Sequence, residues 1–359
     1  MQLPSRSRFV GCLWGGALGD ALGYPIEFDG PGRALIERYG ATAPARLRFC
    51  EGSAGLVSDD TQMTLFTAEA LIRARLAGEA TPNRFLLTAY QRWYATQAMR
   101  PALAPLTRAP LGQGLLLADA RLHARRAPGN TCLAALSASF MGRPLPTLEA
   151  PPNDSKGCGA VMRSAPFGLL ADSGGEAFRH ARDAAVLTHG HPSGYLSSAY
   201  FAALVFDLAR GSSPAVCLDR ADELLAHERE SEELRDIMAR ARALVPVGPP
   251  SPESLEQLGG GWTGEEALAI AVLCAFTAAG PDQQHTREAL WRSVAHGGDS
   301  DSTGSLTGNL LGAMHGVEAL PGAWLAELEM TDLIERVASD LRTVRDDPGA
   351  LDASAYPLQ

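Results

Sequence analysis

Lysine is almost absent from this chain. Lys156 is the single lysine among 31 lysine and arginine residues. A preference for arginine is a compositional habit, yet it draws attention to the one lysine kept, in the Gly-rich stretch Ser155–Gly159. Paired cysteines are missing too. Cys12, Cys50, Cys132, Cys158, Cys217 and Cys274 are scattered with no CxxC spacing, which excludes a zinc ribbon and points to reduced core thiols rather than a disulfide framework. Long apolar runs are also lacking. The longest, Leu196–Ala209 and Ala267–Ala279, fall short of the ~20 residues a bilayer needs. Met1–Arg8 is short and polar, unlike a signal peptide, so a cytoplasmic protein away from membranes is expected. Basic stripes are absent, and the formal net charge is -10, which argues against binding nucleic acid through its phosphates.

What is there is helical. At 46% hydrophobic and 20% charged residues, the composition is that of a folded globular protein. Alternating β-type runs are nearly missing, whereas apolar residues recur at three and four positions. The spacing predicts helices over Phe9–Leu22, Gln62–Ala77, Asn83–Gln97, Cys132–Ser139, Ala177–Leu187, Ser193–Ala209, Glu230–Leu244, Glu265–Ala279, Thr286–Ala295, Ser305–Met314 and Leu325–Ser339. Proline-rich loops are expected at Arg100–Pro110, Arg143–Pro152 and Pro246–Pro252, and Thr263 reads as a helix cap. No repeat or long linker divides the chain, so one all-α, multi-helix domain spanning residues 1–359 is expected.

Two of these helices carry glycine every fourth residue: Gly11, Gly15 and Gly19 in the first, Gly304, Gly308 and Gly312 in a late one. Glycine costs a helix up to ~1 kcal/mol per position against alanine. Such stripes make sense only where another backbone packs very close.

The chemistry-bearing residues are acids. Ser58-Asp59-Asp60-Thr61 sits at a loop-to-helix junction, and Asp299-Ser300-Asp301-Ser302-Thr303 follows Gly297-Gly298 and opens the late striped helix. Either alone reads as an N-cap, stabilised by the helix dipole. Together they offer four carboxylates and several hydroxyls with no His or Cys, a hard-oxygen set suited to Mg²⁺ or Mn²⁺ and poorly suited to zinc. Four carboxylates exceed what one Mg²⁺ normally uses, which points to two ions roughly 3.5–4 Å apart. The DxDxT of aspartyl-phosphate phosphatases matches Asp299–Thr303 in letters, but the preceding Trp291–Gly298 reads as helix and turn rather than strand. An EF-hand loop fails because Thr303 and Leu310 stand where ligands are required.

Further blocks complete a pattern: Gly15–Gly23 with Pro25-Ile26-Glu27-Phe28, Asn153–Arg163 around Lys156, and Thr188-His189-Gly190-His191-Pro192. With the two acidic segments, these five ordered blocks resemble the ADP-ribosylglycohydrolase family, the family of the dinitrogenase reductase-activating glycohydrolase and the ADP-ribosylarginine hydrolases. The resemblance runs from about Phe9 to about Gly316. It implies an all-α fold, a centre of two Mg²⁺ (or Mn²⁺) ions, and hydrolysis of the bond between ADP-ribose and a modified protein side chain. By position, Ser58, Asp59, Asp60, Asp299, Asp301 and Ser302 fall to the metal, and Glu27, Asp60 and Asp301 to catalysis. Asp59, Gly129, Asn130, Asn153, Lys156, Gly157, Cys158, Gly159 and His189 fall to the ADP-ribose. Physical chemistry agrees: carboxylates suit an oxocarbenium-like transition state, and a Gly-rich loop with a lysine suits a pyrophosphate.

The expected activity is removal of ADP-ribose from arginine, an N-glycosidic bond. ADP-ribosyl-serine or another O-linkage, or a non-catalytic ADP-ribose-binding relative, are the alternatives. Partners would be an ADP-ribosylated protein as substrate and ADP-ribose as product. Arg163 reads as a buttress, His191 as structural and Trp262 as core cover.

Overall fold

The two glycine stripes are made for each other. In the computed structural model, Gly11, Gly15 and Gly19 face Gly312, Gly308 and Gly304, and a methyl group on any of the six would overlap backbone of the opposite helix. The helices therefore run antiparallel at backbone contact, closer than the roughly 8–10 Å usual for helix pairs. That proximity offsets the propensity cost of the glycines.

The structure describes residues 3–47, 49–50, 53–97, 114–141, 143–278 and 280–358. In chain order the helices are α1 (Arg6–Gly23), α2 (Gly32–Tyr39), α3 (Asp59–Leu76), α4 (Asn83–Gln97), α5 (Leu115–Ala118), α6 (Asn130–Ser139), α7 (Ala165–Leu170), α8 (Gly174–Ala185), α9 (Pro192–Ala209), α10 (Pro214–Leu225), α11 (Glu232–Leu244), α12 (Pro252–Glu256), α13 (Gly264–Phe276), α14 (Gln283–Val294), α15 (Ser300–His315), α16 (Gly322–Leu325) and α17 (Thr331–Asp346). Strand structure among the described residues amounts to β1 (Phe49–Cys50) and β2 (Ser53–Ala54), an antiparallel hairpin. The fold is all-α.

The layering follows from sequence. α3 is buried almost throughout with its Glu69–Arg73 ion pair inside, and α1, α9, α13 and α15, equally buried, are apolar or small on nearly every side. They form the interior, as helices without a polar face must. α8, α11 and α17 have one apolar face and lie outside them. A continuous apolar core runs from Phe9 to Tyr356. No described helix is long and apolar enough to cross a membrane.

Most expected helices appear within a few residues of their predicted limits. The last does not: a helix over Leu325–Ser339 gives way to α16, a turn with Met330 at φ 55, and then α17. The apolar spacing continues across the turn, so periodicity alone hides the break. α2, α5, α7, α10 and α12 were not expected; α10 opens with Pro214 after Ser213, a helix-start signal that proline can also give in a loop. Thr263 does sit at the N-cap of α13, but its hydroxyl makes no capping bond. Of the proline-rich loops, 100–110 lies outside the described residues. The cysteines Cys12, Cys132, Cys158, Cys217 and Cys274 are free thiols.

Candidate active site

Because α1 and α15 are antiparallel, the C-terminal end of the first meets the N-terminal end of the second. A methyl on Gly23 would overlap the Ser300 carbonyl. Asp20 near the end of α1, Glu27 just beyond it, and Asp299 and Asp301 at the start of α15 are thereby drawn together. A ligand oxygen from each of Glu27, Asp299 and Asp301 lies within 4.8 Å of the others.

The second acidic segment arrives on α3. Ser58 caps that helix, its hydroxyl accepting from the Asp60 amide at 3.2 Å. Asp20 holds the junction from behind. Its carboxylate accepts from the Ser58 amide at 2.9 Å, the Thr61 amide at 3.1 Å and the Thr61 hydroxyl at 2.5 Å. The α3 amides are thus satisfied without Asp59 or Asp60, leaving both free to face the cleft. Asp59 Oδ2 accepts from the Gly129 amide at 3.2 Å, tying the loop before α6 to the same centre.

These groups line a cleft of about 550 Å³, within the roughly 300–1,000 Å³ of small-molecule sites. Its floor is acidic: Glu27, Asp59, Asp60, Asp299 and Asp301, with Ser302 beside them. One wall is Arg125 and Ala127–Cys132, another Gly157–Gly159 and His189. Phe28 and Trp262 stand at the rim, 75% and 47% exposed.

Electrostatics shows how strained this floor is without counter-charge. Burial, reinforced by the other acids, raises Glu27 to about 10 and Asp20 to about 7. Asp59, Asp60 and Asp299 rise well above the carboxylate range, for burial first and the Asp301 charge second. Glu27 Oε2 and Asp60 Oδ1 are buried without a hydrogen-bond partner. Hard oxygens with unpartnered atoms at their centre are what a divalent cation would satisfy.

The family model for ADP-ribosylglycohydrolase covers residues 1–350. The chain belongs to the ADP-ribosylglycohydrolase family. Among relatives it is 26% identical to the ADP-ribosylhydrolase ARH3 of Bos taurus over 95% of this chain and 93% of that protein. It is 25% identical to the ADP-ribosyl-[dinitrogen reductase] glycohydrolase of Rhodospirillum rubrum, covering 92% of this chain and 93% of that one. A solved ADP-ribosylglycohydrolase-related protein complex shares the fold at a TM-score of 0.66 with 23% identity, over 95% of this chain and 98% of that chain.

Of the residues expected at a family site, Glu27, Asp59, Asp60, Gly129, Asn130, Gly157, Cys158, Gly159, His189, Asp299, Asp301 and Ser302 line the one cleft. Ser58 lies buried just behind, its hydroxyl 3.5 Å from Asp60 Oδ2. Two further residues do not line it. Lys156 turns outward to Glu233 and to Glu265, the latter at 3.0 Å, because two carboxylates on α11 and α13 hold an ammonium better than a half-open loop does. Asn153 shapes the loop instead, donating to the Thr188 carbonyl at 2.8 Å and accepting from the Ser155 and Gly190 amides. Trp262 is a third correction: it is an exposed rim residue, not core cover.

Sequence reasoning missed Asp20, Phe28 and Arg125. An acid inside a glycine-striped apolar helix was the available signal for Asp20. Arg163 is a buttress as expected: fully buried over the Tyr90 ring, it donates to the Gly159 carbonyl at 3.0 Å and to the Thr188 hydroxyl at 2.6 Å. Thr188 Oγ1 in turn meets His189 Nδ1 at 2.8 Å. Burial and the Arg163 charge lower His189 to about 3, so its ring is neutral at physiological pH.

Proposed function

We propose that this chain is an ADP-ribosyl hydrolase that cleaves the N-glycosidic bond between ADP-ribose and a modified arginine, with two Mg²⁺ or Mn²⁺ ions held by Ser58, Asp59, Asp60, Asp299, Asp301 and Ser302. The observation that carries this reading is the convergence of five carboxylates, with two buried unpartnered oxygens, on one cleft. The names of the relatives, an ADP-ribosylhydrolase and an ADP-ribosyl-[dinitrogen reductase] glycohydrolase, supply the substrate class.

The bound ions would supply Lewis-acid orientation of ribose hydroxyls and of the attacking water. The remaining work falls to the chain. Asp60 and Asp301 set negative charge on the face where positive charge develops at the anomeric carbon. Glu27 lies half-buried beside the acidic floor with Oε2 unpartnered, and a protonated Glu27 would pass its proton to the departing nitrogen. Neutral His189, with Nδ1 occupied by Thr188, turns its Nε2 edge toward the Gly157–Gly159 loop, where the ADP-ribose would lie.

The test is release of ADP-ribose from ADP-ribosyl-arginine protein, with and without EDTA. Activity should disappear with EDTA and return with Mg²⁺ or Mn²⁺. Asp60→Asn and Asp301→Asn should each lower kcat by about 10²-fold or more. Full activity in both variants would end this reading. Parallel assay of ADP-ribosyl-serine decides between the two acceptors.

A further inference from the structure

The cleft rim carries two aromatic rings that the chain does not cover. Phe28 follows Glu27 directly and is 75% exposed; Trp262 is 47% exposed. Their ring centroids lie 6.0 Å apart with planes only 25° from parallel. Single exposed apolar side chains are ordinary, but two adjacent rings at the mouth of a cleft form an apolar patch of the kind that a ligand covers.

The tryptophan is not loosely placed. Its carbonyl accepts from the Cys158 amide at 3.2 Å, and the preceding Gly260 carbonyl accepts from the Asp299 amide at 2.8 Å. Gly261, at φ 79, packs against Thr303, where a methyl would crowd the side chain. The turn that aims Trp262 is therefore anchored to one wall of the cleft, at Cys158, and to its floor, at Asp299. Phe28 is set by the turn after Glu27, and the adjoining Asp29 is pinned by Arg38 at 3.1 Å. A fixed backbone with an uncovered ring is a platform, not a core residue that slipped outward.

Charge selects what would lie on it. The uncovered faces of Phe28 and Trp262 lie beside the cleft, and aromatic faces attract planar cations such as guanidinium. We infer that Phe28 and Trp262 form a guanidinium platform that receives the modified arginine side chain and discriminates it from an uncharged, hydroxyl-linked acceptor. The inference rests on the proposed ADP-ribosyl hydrolase activity and adds to it the residues that choose the acceptor. Serine offers neither a cation nor a planar face, so it gains nothing from the rings.

The experiment compares kcat/KM on an ADP-ribosyl-arginine peptide and on an ADP-ribosyl-serine peptide for wild type, Phe28→Ala, Trp262→Ala and Trp262→Phe. Both alanine variants should lose about tenfold on the arginine linkage, chiefly through KM, and change by less than about twofold on the serine linkage. Trp262→Phe should recover most of the loss, and thermal melting of all three should match wild type. An active wild type whose alanine variants keep the same arginine-to-serine ratio overturns the platform alone. A wild type active only on serine linkages overturns the guanidinium assignment, and one active on neither overturns the proposed activity with it.

Discussion

The two acidic segments look alike in sequence and are built differently. Ser58-Asp59-Asp60 opens α3 with the cap supplied by a hydroxyl and the backbone tethered by a third acid, Asp20, reaching across from α1. Asp59 and Asp60 are thereby released from structural duty. Asp299-Ser300-Asp301-Ser302 has no such helper. Asp299 is itself the cap of α15, its Oδ1 accepting from the Ser302 amide at 3.3 Å, and its Oδ2 accepting from the Cys158 thiol at 2.8 Å. Asp301 Oδ1 also accepts from the Ser302 amide, at 2.9 Å. The first segment has its amides held by an acid from another helix; the second, with its Asp299 amide tied to the Gly260 carbonyl, spends part of its own carboxylates' acceptor capacity on its cap.

The largest test of this contrast removes the seam that brings the segments together. Gly308→Val would drive a branched side chain into the Gly15 backbone. The expected cost is about 3 kcal/mol or more, since backbone rather than a side-chain tip must yield. It should appear as loss of soluble protein or a melting temperature lowered by many degrees. Gly157→Ala is the control, because its added methyl would sit 3.5 Å from His189 Nε2, an ordinary contact; that variant should fold normally.

A second test reads the shared charge of both segments. Glu27 and Asp20 have folded-state pKa values raised to about 10 and about 7 by burial and by the neighbouring acids. The folded protein therefore holds protons that the unfolded chain gives up near pH 4. That contribution to stability is fully present below the unfolded values and is lost as pH rises through about 7 and then about 10. In EDTA, the melting temperature should fall steadily from pH 5 to pH 9. Millimolar Mg²⁺ should flatten the slope; a slope indifferent to Mg²⁺ would remove the support for a cation on this floor.

The finest test acts on one segment at a time. Asp20→Asn leaves the ring of floor carboxylates intact but weakens the grip on the Ser58 and Thr61 amides. It should lower kcat/KM about tenfold, reflecting misplacement rather than lost chemistry. Cys158→Ser, which keeps a donor to Asp299, should change kcat/KM by less than about threefold. Steady-state kinetics at saturating Mg²⁺ separates them. Equal losses would mean that the two segments are supported alike after all.

Much of this was legible in sequence, and the failures have physical causes. The helices, the paired glycine stripes and the acids were readable because periodicity and residue chemistry are local. Pairing of the stripes with each other was not, since spacing shows that a backbone is near but not whose. Lys156 misled because rarity says nothing about direction: its side chain is long enough to leave the loop for Glu233 and Glu265. Trp262 misled in the opposite way, since burial is the usual fate of tryptophan. Asp20 hid because its partners, the Ser58 and Thr61 amides, belong to backbone and carry no signature of their own.

The glycine seam also dictates when the site can exist. Gly15 and Gly308 are nearly three hundred positions apart, yet their contact is what aligns Asp20 and Glu27 with Asp299 and Asp301. On a growing chain, α1 must wait for α15 to be synthesised before it has a surface close enough to receive it. Contacts of such sequence separation form late and slowly. During that interval α1, apolar and glycine-rich, has no native partner for its bare face. The acidic floor therefore cannot be complete before the start of α15 has been made and has met α1.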